Sequence, residues 1–352
     1  MSASPHTQNR FILGSEFGNQ QPLPNSIIRG MLDADSLSAW FGESEAGKSF
    51  LALDRDLHIA HGIKWRGRKT KKGFVIYLVG EGKRGMQNRY KAWHEYHGLP
   101  VSDDIAFSVI PAAMCQPESV NLLIDDIKRL IDKVKREPVL IELDTLNKNF
   151  GQGDENSTKD MSEFVAGMDR LRMETGAAIS TVHHCGHGSK DRMRGAIVLH
   201  NALDFEYKVS KTGNRLSEYK TTMEFTKIKD YDKPLPLSWA WKLQSLPWLE
   251  QDDDDNWIPV NSIVMTPTDF VPNDVGDKQQ AALSALKELY QKQRQTLIDG
   301  GQSPDGALVK MADWMKAMIP TDEDSGNRSR TRDALIARKL VENIGKEYVK
   351  PR

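Results

Sequence analysis

Residues 41–50, with the sequence FGESEAGKSF, carry two glycines, a lysine and a serine at a spacing suited to binding phosphate. Gly42 and Gly47 let the backbone curl so that its N–H groups point at phosphate oxygens. Lys48 can neutralise the β- and γ-phosphates, and the Ser49 hydroxyl can ligate Mg²⁺. We therefore predict a P-loop that binds ATP and Mg²⁺ through residues Gly42, Glu43, Ser44, Glu45, Ala46, Gly47, Lys48, Ser49 and Phe50.

A glycine-rich β–α turn with an incidental lysine would show the same four fixed residues. The flanking sequence favours the P-loop over this alternative. An apolar, strand-like LSAWF precedes the motif and an apolar helical run follows it, which is the context that a P-loop requires.

Acidic residues follow two further apolar runs that resemble buried strands. Asp144 ends the run PVLIELD, where a carboxylate can support Mg²⁺. Glu142 would lie on the same face of that strand and is a rival for the role. Glu81 follows GFVIYLVG, and we predict that it positions or activates the attacking water. A glutamate in a surface turn is the alternative for Glu81.

Composition excludes several classes of protein. The chain has 352 residues, of which 39% are hydrophobic and 28% charged, as in ordinary globular proteins. No run approaches the roughly 18 apolar residues of a membrane span, and the N-terminal residues lack a signal-peptide core. Only Cys115 and Cys185 are present, so we expect a reducing cytoplasm. The net charge of −1 argues against general coating of nucleic acid but allows a local basic path.

Strand-like and helical patterns alternate from residue 37 to residue 184, which predicts a doubly wound α/β domain with a mostly parallel sheet. Antiparallel strands are expected after Ala202. We predict a flexible arm at 1–30, an ATPase domain at 31–248, an acidic, proline-containing linker at 249–277 and a small C-terminal domain at 278–352. Three amphipathic helices and a hairpin in this last segment suggest a winged helix.

With these motifs placed, the sequence resembles the RepA-type hexameric replicative helicases of plasmids and phages, within the RecA-like ATPase superfamily. The resemblance spans residues 30–245 and includes GDENS after the Asp144 strand and VHH after the next strand. It implies a RecA-like fold and a homo-oligomeric ring, a hexamer, that acts on single-stranded DNA. A loader or initiator protein would be a further partner.

The resemblance also implies individual roles. Glu81 would be the catalytic carboxylate, and His184 a γ-phosphate sensor coupled to the loop CGHGSKDRMRG. The basic side chains of that loop would face a central channel and contact DNA: Lys190, Arg192 and Arg194. Relatives carry a K-x-R pair that reaches the neighbouring ATP site, whereas this chain has Lys227 and Lys229 in TKIKD. Lys229 is therefore the candidate finger, with Arg215 or a plain solvated strand face as alternatives.

Two other groups have competing interpretations. The run HHCGH at 183–187 could be a metal cluster, although neighbours in a strand point to opposite faces. The segment from Lys278 carries 14 basic and 10 acidic residues, with Arg328, Arg330 and Arg332 on its third helix. That helix could contact DNA phosphates, or the module could dock a protein.

Three functions remain open at this point. The first is an ATP-driven ring helicase in replication. The second is a RecA/RadA-like recombination or repair ATPase, which shares the core. The third is an ATP-switched replication initiator or regulator in which the C-terminal module binds DNA.

Overall fold

The structure is a computed structural model that describes residues 11–19, 25–80, 82–108, 110–186, 189–195, 197–268, 277–318, 325–338 and 340–351. The side chains of residues 189–190, 277 and 325–327 lie outside this description. The chain divides into two compact units, Met1–Asp269 and Phe270–Arg352. None of the described helices is both long and apolar enough to cross a membrane.

The first unit is built on a sheet of ten described strands in the order β12-β11-β10-β9-β3-β7-β6-β4-β5, with β8 paired to β7. The strands from β9 to β5 in this order are parallel, and those from β9 to β12 are antiparallel. Their bounds are β3 Leu37–Gly42, β4 Phe74–Val79, β5 Ile105–Ser108, β6 Pro138–Asp144, β7 Ala178–Gly186, β8 Ser189–Met193, β9 Phe205–Thr212, β10 Lys220–Ile228, β11 Leu237–Gln251 and β12 Trp257–Thr268. A separate ribbon pairs β1 (Ser26–Ile28) with β2 (Leu32–Asp33).

Helices cover both faces of the sheet and enclose two apolar cores. Their bounds are α1 Gly14–Asn19, α2 Lys48–His61, α3 Lys83–His97, α4 Pro117–Val134, α5 Leu146–Phe150, α6 Thr158–Thr175 and α7 Ile197–Ala202. Local signals set several ends. Ser157 accepts a hydrogen bond from the Asp160 N–H at the start of α6, and Gly62 ends α2 in the left-handed conformation. The predicted doubly wound, mostly parallel sheet with antiparallel additions is confirmed.

Parallel pairing brings the ends of four strands to one edge of the sheet. Gly42 at the end of β3 lies beside His184 of β7, and Asp144 at the end of β6 lies beside Val79 of β4 and Val182 of β7. Ligands of open α/β sheets bind at this carboxyl edge. The predicted P-loop, metal carboxylate and sensor histidine therefore start from neighbouring strands.

The described residues of the second unit form three α-helices and a small antiparallel sheet in the order β13-β15-β14. The bounds are α8 Asp277–Asp299, β13 Val309–Lys310, α9 Met311–Ala317, α10 Ser325–Ala337, β14 Val341–Ile344 and β15 Tyr348–Pro351. Trp314 is fully buried in its core and donates its indole N–H to the Ala282 carbonyl at 2.7 Å. The helices and the terminal hairpin predicted from sequence are confirmed.

Two predicted boundaries were wrong. Residues 249–268 are not a linker, because they form the end of β11 and all of β12. The acidic run QDDDDN is the tight turn between these strands, in which Asp252 accepts hydrogen bonds from the backbone N–H of Asp254 and of Asn256. Residues 26–28 are not part of a flexible arm, since they form β1 with Ile27 and Ile28 buried.

Candidate nucleotide site

The backbone of the P-loop is packed so closely that two positions require glycine. A Cβ atom on Gly42 would lie 2.0 Å from the Val209 carbonyl oxygen of β9. Gly47 has a φ of +92°, and a Cβ atom there would lie 2.5 Å from Met265 of β12 and 2.9 Å from Thr221 of β10. A side chain at Gly42 would have to displace the backbone of β9, and the positive φ of Gly47 strains any residue other than glycine. Gly42 and Gly47 thus serve the packing of the loop as well as its predicted approach to phosphate.

Strands β10 and β11 also contact the P-loop, through the side chains of Thr221 and Trp241. The Thr221 hydroxyl donates to the Ala46 carbonyl at 2.9 Å and accepts from the Trp241 indole at 2.8 Å. The Trp241 ring lies 5.6 Å from the Phe50 ring, centroid to centroid. Sequence analysis missed Thr221 and Trp241. Strand alternation was the only signal, and it shows which side chains share a face without showing what they contact.

Lys48 begins α2 and is buried, with its amine turned back to the loop. The amine donates to the carbonyl oxygens of Gly42 at 3.0 Å and Glu43 at 2.6 Å. Burial disfavours the charged form and lowers the pKa of Lys48 to about 8. A bound phosphate would supply the negative charge that this buried amine needs. The geometry therefore fits the predicted phosphate role of Lys48.

Ser49 and Asp144 meet at the place predicted for Mg²⁺. The Ser49 hydroxyl donates to one carboxylate oxygen of Asp144 at 2.9 Å, and the Tyr77 hydroxyl donates to the other at 2.7 Å. Burial raises the pKa of Asp144 above its usual range. A hydroxyl and a carboxylate are the oxygen ligands that Mg²⁺ prefers, so these residues fit the ion. Tyr77 was missed because it lies within an apolar strand run.

Glu142 does not compete with Asp144 for the metal, so that interpretation was wrong. Its side chain is fully buried and forms an ion pair with Arg55 of α2. Arg55 also donates to Asp56 at 2.9 Å, and its guanidinium lies 4.9 Å from the centroid of the Trp40 ring. This pairing explains how a glutamate can occupy a buried strand position.

Glu81, the predicted catalytic carboxylate, lies outside the described residues. The backbone before it is fixed at the site, because the Gly80 N–H donates to the Asp144 carbonyl at 2.6 Å. After it, Gly82 is in the left-handed conformation and α3 begins at Lys83. The role of Glu81 stays a prediction.

The two adjacent histidines of β7 point to opposite sides. His183 is buried and donates from Nε2 to the Arg194 carbonyl at 2.8 Å, and burial lowers its pKa to about 4. His184 faces the P-loop, with Nδ1 3.5 Å from the Ser44 hydroxyl. This position fits the predicted sensor. Among the described residues these histidines form no metal-binding group, and His187 of the predicted cluster lies outside the description.

The hairpin of β7 and β8 carries the basic residues predicted to contact DNA. Arg192 is exposed, whereas the Lys190 side chain lies outside the described residues. Arg194 does not point freely outwards, because its guanidinium binds the Glu155 carboxylate at 2.8 Å. Arg194, Glu155 and His184 border a cavity of about 450 Å³ beside the P-loop. Arg194 therefore lies in the wall of this cavity.

Lys227 and Lys229 lie far from the P-loop of their own chain. Lys229 binds Asp204 at 2.7 Å, and Asp204 also accepts from the Leu37 N–H at the start of β3. Leu37 is about 17 Å from Gly42 at roughly 3.3 Å per residue. Lys227 donates to the His200 carbonyl at 2.6 Å. A role for Lys229 at a neighbouring subunit's site stays a prediction, as does the alternative Arg215, which is exposed between β9 and β10.

The arginines of α10 differ in their surroundings. Arg330 is exposed, and Arg332 binds the adjacent Asp333 at 2.7 Å. Arg328 is half-buried and reaches the Met315 carbonyl at 3.5 Å. Arg330 is the best placed of the three for contact with another molecule.

Comparison with known proteins identifies the family of this site. A family model described as "AAA domain" matches residues 7–190, which is more than half of the chain. A KaiC-like protein from the hyperthermophilic archaeon Pyrococcus horikoshii OT3 is 13% identical, with a TM-score of 0.40. That match covers 68% of this chain and 94% of the archaeal one, and it is too distant to indicate a shared activity. No curated protein matches the chain.

Replacing Arg55 by methionine tests the buried ion pair. We expect Arg55→Met to lower the free energy of unfolding by about 3–5 kcal/mol, because Glu142 and Asp56 would lose their common partner. Urea denaturation measures the change. The control Arg129→Met removes an arginine whose side chain is 69% exposed, and should change stability by no more than about 0.5 kcal/mol. An Arg55→Met protein as stable as this control would contradict the pairing.

The lowered pKa of Lys48 predicts how nucleotide binding depends on pH. Because the free protein titrates Lys48 near pH 8, raising the pH leaves a growing fraction of the amine neutral and unable to attract phosphate. The dissociation constant of a non-hydrolysable ATP analogue should rise about tenfold between pH 7 and pH 9. Isothermal titration calorimetry measures it. Lys48→Met should bind the analogue more weakly, with a dissociation constant that does not change over this pH range. The same pH dependence in this variant would show that a group other than Lys48 titrates.

Proposed function

The chain belongs to the AAA domain family, and from this premise we propose that it is an ATP-driven DNA helicase or translocase of the RepA type. It would work in replication as a homo-hexameric ring on single-stranded DNA. Its P-loop, Ser49 and Asp144 give it the nucleotide site of a P-loop ATPase. The step from ATPase to DNA motor is the proposal.

One observation supports the step from ATPase to DNA motor: strand β7 connects the nucleotide site to a basic hairpin. His184 lies beside Gly42 in the sheet, and Ser44 of the P-loop is within 3.5 Å of its ring. The same strand continues to Gly186, and the chain returns as β8 with Arg192 exposed. The Arg194 N–H donates to the His184 carbonyl at 3.0 Å, which links the returning strand to the same residue. A shift of His184 on loss of the γ-phosphate would therefore move the hairpin.

The proposed reaction is hydrolysis of the terminal phosphoanhydride bond of ATP. Lys48 would bind the phosphates, while Ser49 and Asp144 would hold Mg²⁺, which neutralises phosphate charge when bound. Water attacks the γ-phosphorus and the bond to the β-phosphate oxygen breaks, giving ADP and inorganic phosphate. Glu81 would orient this water, and Lys229 of a neighbouring subunit would stabilise the developing charge.

The C-terminal unit supports a second DNA or protein contact. Its described elements run helix, short strand, two helices and a hairpin, which is the order of a winged helix. Helix α10 would be the recognition helix, with Arg330 exposed on it. Such a unit could hold the ring at duplex DNA or bind a loader or initiator protein. Because this unit could bind DNA by itself, an ATP-switched initiator or regulator is the second candidate function.

Strand separation is the experiment that tests the proposal. A forked DNA duplex with a labelled strand should be unwound in the presence of ATP and Mg²⁺ by the full chain, and not by Lys48→Ala. Hydrolysis stimulated by single-stranded DNA without unwinding would favour a recombination ATPase or a motor that needs a loader. ATP binding with no response to any DNA would refute the DNA motor.

Arg192→Ala tests the hairpin as the DNA contact. We expect weaker stimulation of ATP hydrolysis by single-stranded DNA, because an exposed phosphate-binding charge is lost. The slope of log affinity against log salt concentration should fall by about 0.7 for each phosphate contact removed. Arg129→Ala, which removes an exposed arginine on α4, should change neither quantity. Equal effects of the two substitutions would rule out the hairpin as the specific contact.

A further inference from the structure

A group of potential metal ligands lies between α2 and α3, away from the P-loop end of α2. Asp54 and His58 come from α2, one helical turn apart, and His97 comes from the last turn of α3. One ligand atom of each residue lies within 4.8 Å of the others. Asp54 and His58 are buried, and His97 is half-buried. Neither the P-loop nor the basic hairpin uses these residues.

The first two ligands are already oriented. His58 donates from Nδ1 to the main-chain carbonyl of Asp54 at 2.7 Å, and the same nitrogen lies 3.4 Å from one Asp54 carboxylate oxygen, so Nε2 is the nitrogen that carries the free electron pair. The Asp54 carboxylate accepts the indole N–H groups of Trp65 and Trp93, each at 2.8 Å. Metal-binding histidines and carboxylates in proteins are held by such hydrogen bonds from the side away from the ion.

The third ligand lacks a partner. The Nε2 atom of His97 is buried and makes no hydrogen bond within the described part of the chain. The ring packs on Trp93 at 4.2 Å between centroids, and burial lowers the pKa of His97 to about 4. A buried nitrogen without a partner is costly, and an ion would supply one.

A cavity of about 380 Å³ opens onto the three residues. Lys64, Arg66 and Gly67 line the same cavity, so the three potential ligands border a space that can hold water or a small anion. Three protein ligands beside an accessible space correspond to a four-coordinate ion with one position left open.

We propose that Asp54, His58 and His97 bind one Zn²⁺ ion, with a fourth position open to this cavity. Two imidazoles and a carboxylate suit zinc, whereas Mg²⁺ prefers the all-oxygen site at Ser49 and Asp144. Ligands of a tetrahedral zinc ion lie about 3.3 Å apart at bond lengths near 2.0 Å. Because the ligand atoms lie within 4.8 Å of one another, each side chain would move towards the ion by at most about 1 Å.

The neighbouring histidine pair does not offer the same chemistry. His94 donates from Nδ1 to the Tyr90 carbonyl at 2.8 Å, so its Nε2 accepts a hydrogen bond from Nε2 of His61 at 3.0 Å. His61 and His94 are thus each other's hydrogen-bond partner, and neither belongs to the group of potential metal ligands. It provides a matched control in the same pair of helices.

Zinc at this site would join the two helices that lead from the nucleotide. Helix α2 begins at Lys48, and α3 begins two residues after Glu81. An ion between them would fix the far ends of both helices and raise the thermal stability of the unit. Zinc binding between these helices does not require that the protein unwinds DNA.

Zinc binding by the full chain, stripped with EDTA and dialysed, tests the site. We expect one Zn²⁺ per chain by equilibrium dialysis and metal analysis, and a higher melting temperature in zinc than in EDTA. His97→Gln should weaken the affinity at least tenfold and remove the thermal shift. His94→Gln and Cys185→Ser should keep both, which separates this site from the histidine pair and from the HHCGH run.

Cobalt substitution tests the site in the unmodified protein and so does not depend on whether a variant folds. Co²⁺ in the unmodified protein should show visible absorption of a four- or five-coordinate ion without a thiolate charge-transfer band. Absence of stoichiometric zinc, unchanged affinity in a folded His97→Gln, or a thiolate band that disappears in Cys185→Ser would each overturn the assignment.

Discussion

The close packing of the P-loop between strands is the constraint on which the rest of the ATPase unit depends. The Val209 carbonyl leaves no room for a side chain at Gly42, and the side chains of Met265 and Thr221 pack directly against Gly47, whose φ is positive. These contacts come from β9, β10 and β12, which follow the parallel core in sequence. The antiparallel strands are therefore part of the wall of the nucleotide site. A displaced β12 would disturb the loop at the start of α2.

Local patterns were enough to predict the parallel core and to place the P-loop and Asp144 at the ends of its strands, whereas the role of His184 was implied by the resemblance to the RepA-type helicases. Apolar runs of strand length and helices with one apolar face carry that information in short windows. Strand β12 was missed because its WIPVNSIVMTPT sequence contains Pro259 and Pro267, which are typical of linkers and of edge strands alike. The pair of Arg55 and Glu142 could not be predicted, since its members are 87 residues apart.

Four buried carboxylates come from α2 and β6, and the chain accommodates each in a different way. Asp144 accepts hydrogen bonds from two hydroxyl groups at the predicted metal position, and Glu142 binds Arg55. Asp56 shares that arginine, while Asp54 accepts two indole N–H groups. Burial raises the pKa of Asp56 to about 6 even with this partner. Sequence shows that acids are present at these positions, but only packing shows that Asp144 and Asp54 are placed to meet a cation and that Glu142 and Asp56 share an arginine.

Strand β12 ends the order of the described sheet and so has one free edge. Open edges can recruit a strand from another copy of a protein and start aggregation. Pro259 and Pro267 give this strand two positions without an N–H donor, and the turn before it carries a run of aspartates. Trp257, at the start of the strand, is 65% exposed and by itself would favour association with another copy of the protein. The prolines and aspartates that made this segment resemble a linker therefore disfavour the addition of a further strand at this edge of the sheet.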